Sequence, residues 1–128
     1  MKYEGKILLV DDEAHVRKFI ALILKQLGAT AIFEAANGRD AVEVFQRESP
    51  NLVLLDVNMP IQDGIQTLRE IRQLSTDCVV VMLTSLANRQ TVEEALSLGA
   101  DNYIRKDTPK DEILASLRQT IAECFTTD

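Results

Sequence analysis

Five positions carry side chains suited to handling a phosphoryl group. They are the acidic pair Asp11-Asp12, the single carboxylate Asp56, the hydroxyl of Thr84 and the ammonium of Lys106. Asp11, Asp56 and Thr84 each directly follow an apolar run, Ile7–Val10, Leu52–Leu55 and Cys78–Leu83, and Lys106 comes just after Tyr103-Ile104. Carboxylates brought together repel one another, and a hard divalent cation is the simplest offset. Oxygen ligands with no Cys or His among them suit Mg²⁺ or Mn²⁺. Asp12 is expected to bind such an ion directly and Asp11 through water. Asp56 would give one oxygen and the backbone carbonyl of Asn58 another. Lys106 can neutralise a phosphoryl oxygen as a point charge, and Thr84 can donate a hydrogen bond. Taken singly, each residue has a plainer use: Asp12 as a helix cap, Asp56 as a strand end, Thr84 as a turn cap, Lys106 as a solvated loop lysine. Their joint arrival at strand ends is what points to chemistry.

That arrival depends on the elements between them. Unbroken apolar runs of strand length read as strands covered on both faces, hence a parallel sheet between helical layers. The first helix carries Val16, Phe19, Ile20, Ile23 and Leu27 at three- and four-residue steps and stops at Gly28. Ala31-Ile32-Phe33 is a second strand, and Asn37-Gly38 opens a second helix over Ala41, Val42 and Phe45. The third helix presents Ile65, Leu68 and Ile71. A weaker fourth, from about Asn88 to Leu98, has only Val92, Ala95 and Leu96 as a stripe. Thr108-Pro109-Lys110-Asp111 starts the last helix, with Thr108 as N-cap and Pro109 in the first position, and Ile113, Leu117, Ile121 and Cys124 share its inner face. The rhythm is βα five times, which predicts an α/β fold, a single doubly wound (βα)5 domain over residues 1–128. The flavodoxin-like sheet order 2-1-3-4-5 is the natural choice for five strands, taken from the known fold and not from the rhythm itself. That order sets the first and third strands side by side, so Asp11, Asp12 and Asp56 meet at the carboxyl rim of the sheet, where open parallel sheets bind ligands.

The bulk properties narrow the class. The 128 residues, 46% hydrophobic, suffice for one full core. A net charge of -6 with no basic cluster argues against direct nucleic-acid binding by this chain. Cys78 and Cys124 show no metal-ligand or CxxC spacing and read as reduced thiols of a cytoplasmic protein. There is no signal-peptide apolar region and no run long enough to span a bilayer, so no membrane role is expected.

Asp11-Asp12, Asp56, Met59-Pro60, Asp63-Gly64, Thr84-Ser85, Gly99-Ala100-Asp101, and Tyr103 with Lys106 three residues later resemble the receiver domain of two-component response regulators, in order and near the family's spacing over almost the whole chain. The resemblance implies that Asp56 accepts a phosphoryl group from a phosphohistidine on a sensor histidine kinase or phosphotransfer protein. Asp11, Asp12, Asp56 and the Asn58 carbonyl would hold Mg²⁺, and Thr84 and Lys106 would bind the phosphoryl oxygens. Thr84 and Tyr103 would form a switch pair that alters the surface of helix four, strand five and helix five toward a downstream protein target. Asn58 and Leu86 would flank the path of hydrolytic water; an apolar Leu86 predicts moderately slow loss of the phosphoryl group. The chain would be a monomer or a phosphorylation-dependent dimer, and not a turnover enzyme.

One junction departs from the family pattern. Many receivers carry proline directly after the site lysine, whereas Lys106 is followed by Asp107. Either a trans bond with an altered loop or a strained cis bond is expected, and Asp107 adds an acid that could weaken the pull of Lys106 on phosphate. Two other functional classes fit the sequence less well. A phosphatase of the haloacid dehalogenase type needs a second Asp two residues after its nucleophile, and here that residue is Asn58. A phosphate-independent interaction module fits poorly with an intact set of Asp11, Asp12, Asp56, Thr84 and Lys106. His15, early in the first helix, reads as a surface residue and not a phosphoryl carrier.

Overall fold

A computed structural model describes residues 5–85 and 88–124. Ten elements alternate: β1 (Lys6–Val10), α1 (Ala14–Gln26), β2 (Ala31–Ala35), α2 (Gly38–Glu48), β3 (Leu52–Asp56), α3 (Gly64–Leu74), β4 (Val79–Thr84), α4 (Arg89–Ser97), β5 (Asn102–Arg105) and α5 (Lys110–Cys124). All strand pairs are parallel and the order is β2-β1-β3-β4-β5, as expected for a flavodoxin-like (βα)5 domain.

The two-residue period of the strands splits the core into two layers. Ile7, Leu9, Leu52, Leu54, Val81 and Leu83 face α1 and α5. Leu8, Val10, Val53, Leu55, Val80 and Met82 face α2, α3 and α4. Every residue of β3 and β4 is buried, which is why those segments read as continuous apolar runs.

Local signals set the helix ends. Asn37 accepts a bond from the Asp40 amide at the start of α2. Asp63 and Gln66 form a reciprocal capping box at α3. At α5 the first helical residue is Lys110 and the Pro109 carbonyl accepts from Glu112 and Ile113, so Pro109 stands at the cap, one place earlier relative to the helix than the sequence suggested. Three residues assigned to buried stripes are exposed: Phe19, Leu96 and Cys124. On α1 the inner stripe runs through Ile20, Ile23 and Leu24 and continues to Leu27 at the C-terminal cap. On α4 only Ala95 is fully covered, so little apolar area holds that helix to the sheet.

Candidate functional site at the carboxyl rim

Asp11 immediately follows β1 and Asp56 is the last residue of β3, and the pairing of Val10 with Leu55 puts both at the same rim. Both are buried, Asp11 at 0% and Asp56 at 1% exposure, whereas Asp12 is exposed. Asp11, Asp12 and Asp56 each offer an oxygen within 4.8 Å of the others. Asp11 also accepts from the Glu13 amide at 2.9 Å, and Asp56 from the Asn58 amide at 3.3 Å.

Lys106 reaches this cluster from the turn after β5. Its amide donates to the Thr84 carbonyl at 2.7 Å, which fixes the lysine against the end of β4. Its Nζ lies 2.6 Å from Asp11 Oδ2 and 3.1 Å from Asp56 Oδ1, with the side chain only 11% exposed. In this state the ammonium is shared between two carboxylates. Burial works against its charge, but its bonds to Asp11 and Asp56 outweigh that and hold its pKa above the usual lysine value. Asp56 is shifted the other way from its ionised form. Burial, reinforced by the neighbouring Asp11 charge, raises its pKa to about 6 against the partial relief of Lys106. Asp56 Oδ2 has no hydrogen-bond partner although it is buried.

Thr84 is buried at the end of β4. Tyr103 pairs in register with Met82, two residues before Thr84, and packs against the same layer as Met82, Ala95 and Ala100. The expected switch pair therefore lies on the sheet face covered by α4. The Tyr103 hydroxyl is buried without a hydrogen-bond partner. Asn58 is exposed beside a cleft of about 380 Å³ that Ile65, Arg69 and Glu94 also line. Leu86 lies outside the described residues. His15 is exposed near Glu13 and takes no part in the cluster.

The Lys106–Asp107 peptide is trans. Asp107 is held by Arg105 in a two-pronged ion pair, at 3.1 and 2.9 Å, so its charge is met by a guanidinium instead of by Lys106. The Thr108 amide bonds back to the Arg105 carbonyl at 3.1 Å and closes the turn.

The loop from β3 to α3 is tightly built. Gly64 donates to the Val57 carbonyl at 2.9 Å, and a Cβ on Gly64 would stand 2.1 Å from the Asp56 carbonyl oxygen. Only glycine lets α3 begin this close to the Asp56 backbone. Ile61 has φ +70° and is spanned by a bond of 2.7 Å from the Gln62 amide to the Pro60 carbonyl, a tight γ-type turn around a β-branched residue. Its side chain is 69% exposed, so packing does not repay the strain. Ile61→Gly is expected to raise stability by about 1 kcal/mol, read from the urea midpoint, because the left-handed penalty disappears. An unchanged or lower midpoint would show that the turn is not strained.

Sequence reasoning did not pick out Arg17. Its guanidinium donates to the Asp11 carbonyl at 2.7 Å and to Glu34 at 2.9 Å, behind the acidic pair. The available signal was a basic residue in the first turns of α1, six positions after Asp11.

The family model described as the response regulator receiver domain matches residues 7–118. The chemotaxis protein CheY of Bacillus subtilis is 36% identical over 116 residues, 91% of this chain and 97% of that protein. A probable transcriptional regulator, ycf27, of Porphyridium aerugineum is 40% identical over the same share of this chain, which spans only 48% of that longer protein. Among solved structures, the BeF3-activated N-terminal receiver domain of Klebsiella pneumoniae RstA is 36% identical, with a TM-score of 0.83 over 91% of this chain and 97% of that one. The chain thus spans nearly all of one kind of relative and about half of another.

Proposed function

From the premise that the chain belongs to the response regulator receiver domain family, we propose that it is a phosphorylatable switch whose acceptor is Asp56. The observation that carries this is the buried Asp56 carboxylate, with one oxygen on Lys106 and the other unpartnered. An oxygen of Asp56 attacks the phosphorus of a phosphohistidine on a sensor histidine kinase or phosphotransfer protein. The new O–P bond forms as the P–N bond breaks, and the bonding pair returns to the imidazole. Such a transfer needs positioning and charge neutralisation more than a base. With its pKa at about 6, Asp56 is largely the carboxylate nucleophile at pH 7.5. Lys106, held over Asp56, moves its charge onto a phosphoryl oxygen, and the Thr84 hydroxyl donates to another.

The residues present fit a divalent cation. Asp11, Asp12 and Asp56 supply oxygens within 4.8 Å of one another, and the unpartnered Asp56 oxygen is a free acceptor. These three carboxylates, with the Asn58 carbonyl, would hold Mg²⁺ or Mn²⁺, which when bound neutralises charge on the phosphoryl group. The added charge, roughly -1.5 to -2 by analogy with other phosphorylated side chains, draws Thr84 toward it. Tyr103 and the thinly anchored α4 on the same face respond, and the changed surface of α4, β5 and α5 meets a downstream protein. A cytoplasmic place belongs to this proposed relay role; separately, no helix of the described residues is long and apolar enough to cross a membrane.

The test is addition of Mg²⁺ and beryllofluoride, a phosphoryl mimic, to ¹⁵N-labelled protein. Amide signals of Thr84, Tyr103 and Lys106 are expected to shift in the natural sequence and stay still in Asp56→Asn. Shifts of equal size in both proteins, or none in either, would refute the reading.

A further inference from the structure

Arg17 sits where it can set the geometry of the acidic pair. Its Nη1 donates to the carbonyl of Asp11 at 2.7 Å, and its Nε donates to Glu34 at 2.9 Å. The side chain is 20% exposed. The Asp11 carbonyl belongs to the peptide unit that joins Asp11 to Asp12. Fixing that plane fixes the directions in which the buried and the exposed carboxylate leave the backbone. The Asp11 amide is already held by the Ala35 carbonyl at 3.1 Å, so Arg17 completes the grip on this residue from α1 while β2 holds it from the sheet.

A guanidinium behind a cation site also carries a cost, since like charges repel. Glu34, in β2 and paired in the strand register with Leu9, two residues before Asp11, offsets that charge at 2.9 Å. The guanidinium can then orient without repelling an incoming ion. Partners one step removed from a metal often set its affinity by orienting the ligands.

We propose that Arg17 is a positioning residue for the divalent-cation site, holding the Asp11–Asp12 peptide through the Asp11 carbonyl, while Glu34 cancels its charge. This rests on the receiver reading, because it takes Asp12 and its neighbours as cation ligands. Arg17 touches neither the ion nor the phosphoryl group.

The test is Mn²⁺ binding to the full chain, followed by electron paramagnetic resonance of the free ion, with urea unfolding in chelator measured alongside. Arg17→Ala is expected to raise the Mn²⁺ dissociation constant about tenfold. Its rate of self-phosphorylation from a small-molecule phosphodonor should recover to within about twofold at saturating Mg²⁺. Glu34→Gln, which keeps the guanidinium but frees its charge, is expected to weaken Mn²⁺ several-fold. Arg17→Lys keeps the charge and the aliphatic stem, and so serves if the alanine variant does not fold; losing the planar fork, it too should bind several-fold more weakly. If the variants lose stability but bind Mn²⁺ as the natural sequence does, Arg17 only supports the fold and the proposal falls alone. If the natural sequence binds no Mn²⁺, or binds it equally with Asp12→Asn, the reading of the cation site falls and takes the proposal with it.

Discussion

Asp56→Asn stabilises the metal-free protein by roughly 2–3 kcal/mol at pH 8, although it removes the residue on which the proposed function depends. The cause is the raised Asp56 pKa, about 6 against an ordinary value of 3.8. The folded chain holds that proton more tightly than the unfolded chain does. Below about pH 4 both states are protonated and the group costs nothing. Between about 4 and 6 the unfolded state releases its proton first, and each pH unit removes up to about 1.4 kcal/mol of stability. Above about 6 the whole cost is present. Asparagine has the shape of the protonated acid and carries no charge at any pH. The stability difference between variant and natural sequence should therefore open as pH rises from 4 to 7 and close as it falls. Urea unfolding in chelator at several pH values measures it. Saturating Mg²⁺ should stabilise the natural sequence and narrow the gap, by ligand linkage. A difference that does not change with pH would mean that Asp56 is not strained by its ionisation.

Lys106→Met has the opposite effect and a comparable size. The ammonium is the cation placed 2.6 Å from Asp11 and 3.1 Å from Asp56, and both carboxylates are buried. Removing one partner of a buried ion pair leaves the other charges uncompensated, at a cost of about 3 kcal/mol. Because its pairing raises the Lys106 pKa, the stabilisation it gives is complete below the ordinary lysine value and is lost only as pH climbs through the raised one. The loss in the variant should thus be full at pH 8, should shrink in acid as Asp56 takes up a proton, and should be partly offset by Mg²⁺. Circular dichroism with urea at pH 5 and pH 8, with and without Mg²⁺, gives the comparison. A variant as stable as the natural sequence at pH 8 in chelator would show that Lys106 does not neutralise the cluster.

Both effects stem from one arrangement: a rim where two buried acids share one lysine is costly by itself, and the proposed cation and phosphoryl group would relieve that cost. Much of that rim was legible in the sequence. Leu52–Leu55 and Val79–Leu83 are apolar on both faces, so a parallel sheet followed, and with it the meeting of Asp11, Asp12 and Asp56. What local pattern could not supply was the detail of partners. Phe19, Leu96 and Cys124 have helical spacing that matches a buried face, but the layer beneath them is already filled by Ile20, Ala95 and Ile121. Asp107 was recognisable as unusual after Lys106, yet its capture by Arg105 two residues earlier depends on how the turn closes. Ile61 gave no signal, because a β-branched residue is a poor guide to a left-handed turn. Arg17 was silent for another reason: it acts on a backbone carbonyl, and carbonyls are present at every position.

The most direct measurement is intact mass and peptide mapping after incubation with Mg²⁺ and a small-molecule phosphodonor. The account predicts one phosphoryl group per chain, on the peptide that contains Asp56, removed by hydroxylamine as an acyl phosphate should be, and absent from Asp56→Asn. A modification that persists in Asp56→Asn or maps to another residue such as His15, continuous release of phosphate at enzyme-like rates, or no modification at all would contradict it.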